Sequence, residues 1–305
     1  MAQPTVLPSE EHRTTAISQS LRVIADVDGP NAPKTHDFTR DEWAFCDDPR
    51  YRLRVAGNLL ERKRAWGLAY RVYRSKGYAR ESELGLWYGI HDALADTITF
   101  IAERQGDPVA ALTVVFDSLL GLPADHLFAD EIAQLRRTGR RPCELVSLVS
   151  VETNAARGAE LVRQLFRLAH RAAEGRSDDL LITVNPRHTP FYIRKLLFER
   201  FGPDRTYEKV NGALATPLRL DLHTARERYR QAYAQREGGE NLYAFFCGAH
   251  ERPMAAWIES GKRQLDADAL RRYFVDLRPL LPDAPPLHRE AILAGYASSA
   301  CAVVS

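Results

Sequence analysis

The chain has 305 residues, of which 45% are hydrophobic and 27% charged, and its formal net charge is +2. That length accommodates one large domain or two modest ones, and the composition is that of a soluble globular protein. No long basic stripe stands out, which excludes a dedicated nucleic-acid binder, so no nucleic-acid partner is expected.

Cys46, Cys143, Cys247 and Cys301 lie far apart and form no CxxC pair. This spacing speaks against zinc and against a disulfide framework, and it fits a reducing compartment. No stretch approaches the ~18 apolar residues of a membrane span. The N-terminus lacks a charged start followed by an apolar run, and Cys301 in CAVVS stands one residue too early for a prenylation box. A cytoplasmic protein with no transmembrane segment is expected.

Residues 1–48 are rich in Pro, Asp, Thr and Ser and read as a flexible arm, with one strand at Leu21-Arg22-Val23-Ile24. Order begins at Tyr51, where YRLRVAG alternates as a strand. In LLERKRAWGLAYRVYRSKG the apolar residues fall at helical intervals. Leu59, Leu60, Ala65, Leu68, Ala69, Val72 and Tyr73 form the predicted buried stripe, and Gly77 is the stop. Two β-rich runs then flank Gln105-Gly106-Asp107-Pro108, which predicts a hairpin.

A polar, partly helical connector, FADEIAQLRRTGRR, leads to a strand at 143–151, CELVSLVSV. AELVRQLFRLAHRAAEG places Leu161, Leu165, Leu168, Ala169 and Ala172 on one helical face and arginines on the other. DDLLITVNP is a strand that stops at Asn185-Pro186, because proline has no N–H to continue the ladder. Thr189 is placed to cap a helix over 189–200, and RTYEKVNGALATPLRLDL adds a pair of strands. From His223 onward, short helical segments are broken by Gly238-Gly239 and the proline-rich 279–286 stretch. The predicted organisation is an arm (1–48), an α/β domain (49–222) and a helical extension (223–305) that is either a small second domain or a cover over the first.

The order β-α-β-β-β-α-β-α-β-β resembles the GNAT acyltransferase fold, an α/β (α+β) architecture with a central mixed, mostly antiparallel sheet flanked by helices. In that fold the fourth and fifth strands splay apart and expose backbone groups to the pantetheine arm of an acyl thioester, while a helix N-terminus receives its phosphates. The resemblance makes 143–151 the fourth strand, 161–174 the following helix, 180–186 the fifth strand and 189–200 the last helix. Four stretches carry a finer resemblance: LAYRVYRSKGY (68–78), GIHDALADTITFIAERQGDPVAALTVVFDSLLGLPADHLF (89–128), LRRTGRRPCELVSL (135–148) and VNPRHTPFYIRKLLFERFG (184–202). They are similar to the N-acyl amino acid synthases of the FeeM type, relatives of the acyl-homoserine lactone synthases. There are departures. Ala69 stands where relatives usually carry Arg, Glu144-Leu145-Val146-Ser147 replaces an acidic-x-Ser-Arg pattern, and TNAARGAE keeps only Arg157 and Gly158 of a Gly-rich phosphate loop.

Acyl transfer to an amine requires a neutral amine, a polarised thioester carbonyl and a protonated leaving thiolate. Glu144 is the candidate base: it sits in an apolar strand, where an unpaired charge is expensive, unless it is paired with Arg136, Arg137, Arg140 or Arg141. Tyr192, at the mouth of the last helix, is the candidate acid, with core packing beside Phe191 as the plain alternative. The resemblance implies donor contacts from Ser147, Val149, Ser150, Val151, Arg157, Gly158 and Asn185. Asp92 and Asp117 are candidates for holding the amine, or else for capping.

His126 and His188 have no metal-ligand partner at suitable spacing, so no metal is expected. Neither GxSxG nor a Cys-His-Asn set is present, and Cys143 reads as a buried strand residue. Arg163, Arg167 and Arg171 recur at i, i+4, i+8, as a docking row for an acidic acyl carrier protein or as a solvated face. The expected function is N-acyl transfer of a fatty-acyl group to an amino acid or other small amine. Acyl-ACP or acyl-CoA is the expected co-substrate, with no tightly bound cofactor and with the LLGLPADHLF loop lining the acyl tunnel. The alternatives are a non-catalytic acyl-binding module and a homoserine-lactone-type synthase, the latter disfavoured by the missing Arg and Ser-Arg features.

Overall fold

A computed structural model describes residues 48–248 and 265–296. The strands in chain order are Tyr51–Val55 (β1), Ile98–Arg104 (β2), Asp107–Phe116 (β3), Pro142–Ser150 (β4), Asp179–Val184 (β5), Glu199–Arg200 (β6), Arg205–Tyr207 (β7) and Ala213–Asp221 (β8). The helices are Leu59–Ser75 (α1), Asp125–Arg137 (α2), Ala155–Ala173 (α3), Thr189–Leu196 (α4), Leu222–Tyr233 (α5), Leu242–Cys247 (α6), Ala267–Arg271 (α7) and Pro286–Ala294 (α8). They build one mixed sheet in the order β1-β2-β3-β4-β5-β8-β6, with β7 also paired to β8. All neighbours are antiparallel except β4 and β5.

Local chemistry accounts for the turns. Gln105 (φ 54°) and Gly106 (φ 85°) are both left-handed, the backbone that a tight hairpin needs to match the twist of β2 and β3. The Asn58 side chain caps α1 by accepting the Glu61 N–H at 3.0 Å, and Asn154 caps α3 through the Arg157 N–H at 3.1 Å.

Alternation along the strands gives the sheet two buried faces. Ala110, Leu112 and Val114 of β3 pack with Leu161, Leu165 and Leu168 of α3. On the opposite face, Ala111 meets Ala65, Leu68 and Val72 of α1, and Val115 meets Phe128 and Ile132 of α2. The C-terminal extension covers both faces. Tyr229, Tyr233 and Phe246 join the α3 side, while Leu270, Phe274, Ile292 and Tyr296 close over Trp66 and Tyr88 on the other. The Tyr296 hydroxyl donates to the Ala93 carbonyl at 2.8 Å, and Tyr88 donates to that of Tyr273 at 2.7 Å.

Three local expectations change. Leu60 is 60% exposed and lies off the buried stripe of α1. α4 ends at Leu196, not near 200, because left-handed Leu197 (φ 56°) turns the chain so that Phe198 is buried and Glu199–Arg200 can pair with β8. Thr189 lies inside the first turn of α4, which has no side-chain cap; Asn185 instead caps the preceding single turn Pro186–His188 by accepting the Arg187 N–H at 3.3 Å. The strand expected at residues 21–24 lies outside the described residues, as do Cys46 and Cys301. Cys143 and Cys247 are buried free thiols. No helix among the described residues is long and apolar enough to cross a membrane.

Candidate active site

β4 and β5 pair only from Pro142↔Asp179 to Leu145↔Ile182, although β4 runs on to Ser150 and β5 to Val184. A bulge bends β4 just beyond the last pair. Ser147 and Leu148 oppose the single residue Leu112, between the pairs Thr113↔Val146 and Ala111↔Val149, and Ser147 adopts a left-handed φ of 53°. At the end of β5, Pro186 removes one donor and Asn185 caps the turn that follows. The two parallel strands therefore diverge.

A cavity of about 250 Å³ fills the divergence and connects the two faces of the sheet. Its wall on the α3 side is apolar, formed by Leu112, Leu145, Phe166, Ile182 and the ring of Tyr192. The wall on the opposite side carries the polar groups Tyr73, His91, Asp92, Glu144, Thr183, Tyr207 and Lys209 among the apolar Val115, Val146 and Ala215. Strand alternation separates them: Leu145 and Ile182 point one way, their neighbours Glu144 and Thr183 the other. At the rim, exposed Arg187 donates to the Tyr78 hydroxyl at 2.9 Å and to His188 at 3.1 Å.

Glu144 is 2% exposed, and one of its carboxylate oxygens accepts the Ala124 N–H at 2.7 Å. None of the nearby arginines pairs with it: Arg136 binds Asp117 and Asp125, Arg140 binds Asp179 and Asp221, Arg141 binds Asp178, and Arg137 binds Gln134. Burial, only partly offset by the Ala124 N–H and by Lys209, pushes the Glu144 pKa up to about 8. Such a group can hold a proton at neutral pH and exchange it with an amine.

Tyr192 packs against Phe166, Phe191 and Phe198 with ring centroids 5.8, 5.3 and 6.1 Å away. Burial raises its pKa above the ordinary phenol value, and its hydroxyl has no hydrogen-bond partner among the described residues. A phenol in this position is a proton donor, not an anion.

Asp92 also reaches the cavity, but its two oxygens accept the Trp66 indole N–H at 3.0 Å and the Gly89 N–H at 2.8 Å. Burial raises its pKa, against the pull of those donors and of Arg62. Its side chain holds the loop that carries His91. Burial and then the charge of Lys209 bring the His91 pKa down to about 4, and its Nε2 is buried without a hydrogen-bond partner among the described residues.

Of the residues singled out in the sequence, the cavity brings together Glu144, Tyr192, Ser147, Asn185 and Asp92. Val149 is buried against α1, and half-buried Val151 also lies away from the cavity. Ser150 accepts the Glu152 N–H at 3.3 Å. Gly158 and Arg157 lie in the first turn of α3, where buried Glu152 accepts from Arg104 at 2.9 Å and from the Asn154 N–H at 3.1 Å. A carboxylate thus takes up backbone donors that a phosphate loop would offer.

Two expectations are corrected. Asp117 lies outside the cavity, where the Arg136 guanidinium grips both its oxygens at 2.8 and 2.7 Å. The arginines of α3 do not form an open row. Arg163 and Arg167 stack on Phe245 at 4.4 and 4.6 Å, Arg163 donates to the Gly239 carbonyl at 2.6 Å, and Arg171 donates to that of Gly248 at 2.7 Å. They clamp α6 onto α3, and all three are half-buried by these contacts. Of the LLGLPADHLF loop, Pro123 alone lines the cavity.

As site residues, Tyr73, His91, Thr183, Tyr207 and Lys209 escaped the sequence reading, in which Tyr73 is only part of the buried stripe of α1. They come from a helix and from separate turns and strands, and only the Asn-Gly signal after Lys209 hinted that its segment folds back. Among the described residues there is no cluster of three His, Cys, Asp or Glu side chains able to hold a metal ion.

The family model of the N-acyl amino acid synthase FeeM matches residues 64–221. The solved structure of FeeM, an N-acyl amino acid synthase from uncultured soil microbes, is similar with a TM-score of 0.53 at 26% identity, covering 59% of this chain and 94% of that one. The AHL synthase LasI is similar with a TM-score of 0.43 at 14% identity, over 57% of this chain and 92% of that one. An acyl-CoA N-acyltransferase from Pseudomonas aeruginosa follows at 0.38 and 18% identity, over 55% and 97%. No curated protein matches the chain.

Proposed function

The chain belongs to the N-acyl amino acid synthase FeeM family, and we propose that it moves a fatty-acyl group from a pantetheine thioester to the amino group of an amino acid. As an acyltransferase acting on an amine, it must accommodate both reactants at one point, and the divergence of β4 and β5 is that point. In this reading the thioester enters between the strands, with the acyl chain against Leu112, Leu145, Phe166 and Ile182. Backbone donors freed at the Ser147 bulge polarise its carbonyl. On the polar side Glu144 takes a proton from the ammonium, and the neutral nitrogen attacks the thioester carbon. The C–N bond forms, the C–S bond breaks, Tyr192 protonates the leaving thiolate, and the second proton shed by the new amide nitrogen restores the Tyr192 phenol, while Glu144 releases its proton to solvent.

One observation carries the reading: a buried carboxylate with its pKa near 8 and a phenol without a hydrogen-bond partner line the same opening in the sheet. The Glu152 carboxylate at the start of α3 disfavours a pyrophosphate there, which supports an acyl-carrier thioester over coenzyme A as donor. The test supplies the purified chain with an acyl-carrier thioester, or with acyl-CoA, and a mixture of amino acids, and reads products by mass spectrometry. An N-acyl amino acid with a carrier preference supports the proposal. Binding of thioester without product would point to a non-catalytic acyl-binding module.

A further inference from the structure

We infer, resting on the acyl-transfer reading above, that Lys209 is the anchor for the carboxylate of the amino-acid acceptor. Lys209 sits in a one-turn helix, Glu208–Val210, between β7 and β8. The turn is pinned from outside: left-handed Asn211 (φ 55°) donates its side-chain amide to the Gly77 carbonyl at 2.6 Å, at the end of α1. Gly212 (φ 74°) closes the turn through its N–H to the Tyr207 carbonyl at 3.0 Å. Asparagine is among the few non-glycine residues that adopt this conformation readily, and the turn it makes directs Lys209 into the cavity.

The ammonium has no partner there. Among the described residues no carboxylate or carbonyl lies within hydrogen-bond or ion-pair distance of Nζ, which stands beside Gly89 and 5.8 Å from the centroid of the Trp87 ring. Asp92 and Glu144 attract it from further away. Both Asp92 oxygens are already taken, and Glu144 has one oxygen committed to Ala124. By surface area Lys209 is an exposed residue, yet the groups packed around its ammonium desolvate it enough to outweigh that attraction and lower its pKa. An unpaired ammonium at the cavity wall is available to an incoming anion.

An α-amino acid supplies the missing charge. Its ammonium can address Glu144 while its carboxylate meets Lys209, because both side chains line the polar wall. A simple amine or an amino-acid amide lacks that second contact. Lys209 thereby selects acceptors by their carboxylate and places the nitrogen beside Glu144.

The test uses the full chain with an acyl-carrier thioester and two acceptor sets, the L-α-amino acids and their α-carboxamides. We expect Lys209→Met to reduce the preference for acid over amide, measured as the ratio of kcat/KM, about tenfold or more, as loss of one charge-assisted hydrogen bond implies. The loss should lie in KM, and Lys209→Arg should restore much of it. An unchanged ratio, or equal losses with acids and amides, would overturn the assignment and leave Lys209 as a distant counter-ion of Glu144. Calorimetric binding of the same two sets, without donor, separates the questions. If the wild type binds acids in preference to amides through Lys209 yet forms no product, the acyl-transfer reading fails and the anchor stands. If binding is indifferent to Lys209, the anchor fails.

Discussion

Leu145 of β4 and Ile182 of β5 are the last residues that the two parallel strands pair, and the cavity opens beyond them. Both point to the apolar α3 side, while Glu144 and Thr183, one step away along each strand, point to the polar side. Two reactants of opposite polarity can therefore meet at this line from opposite faces. The predictions below test how the flanking residues use it.

Glu144 must be ionised to take a proton from an amine, and its pKa is near 8. The rate should therefore rise about tenfold per pH unit below that value and level off above it. Glu144→Gln should lower kcat about a hundredfold and leave only the amine's own titration in the profile. The folded pKa is raised from 4.5, so the contribution of protonated Glu144 to stability is complete below pH 4.5 and is lost as pH rises through about 8. Glutamine mimics the protonated acid, so the variant should melt no lower than wild type at pH 9. Full turnover at pH 7 in the variant would remove Glu144 from the mechanism.

Tyr192→Phe keeps the ring against Phe166 and Phe198 and deletes a hydroxyl with no hydrogen-bond partner to lose. Single-turnover acyl transfer should slow about tenfold with little change in Tm. A lower Tm with unchanged turnover would instead assign the residue to packing alone.

Arg163→Ala with Arg167→Ala removes two guanidinium stacks on Phe245 and the bond to the Gly239 carbonyl. We expect Tm to fall by a few degrees, for a loss of about 1–2 kcal/mol. The ratio of KM values for carrier and short pantetheine thioesters should stay constant. A carrier-specific rise in KM at constant Tm would return these arginines to a docking role.

His170 is 8% exposed, neither ring nitrogen has a hydrogen-bond partner among the described residues, and its ring lies 5.7 Å from that of Phe246. Burial lowers its pKa from 6.5 to about 4. The unfolded chain then binds the proton that the folded chain refuses. Between pH 4 and 6.5 stability should therefore fall on acidification, by up to about 1.4 kcal/mol per pH unit for this one site. His91 and His188, both also lowered to about 4, act in the same direction. Urea midpoints at pH 5 and 7 should differ less in His170→Phe than in wild type. An equal difference would show that this ring does not carry the effect.

The sequence by itself determined most of the sheet and helix order between Tyr51 and Asp221, because those elements depend on alternation, helical spacing and short-range turn chemistry. The Gln105-Gly106 hairpin and the Pro186 stop are legible for that reason. Glu144 stood out for a similarly local reason, a carboxylate in an apolar strand, and Tyr192 through its place in a recognisable motif. Tertiary structure decided the rest. Whether Glu144 meets an arginine depends on Asp117, Asp178, Asp179 and Asp221 competing for the same guanidinium groups, a contest among distant residues. The bulge at Ser147 uses no glycine that could announce it, and α4 stops early because Phe198 finds a buried site. The periodicity of α3 marks a polar face but not what lies on it, and Phe245 of α6 makes that face a clamp. Lys209, His91 and Tyr73 converge on one cavity from three loops and helices, and periodicity cannot report a convergence that only long-range packing creates.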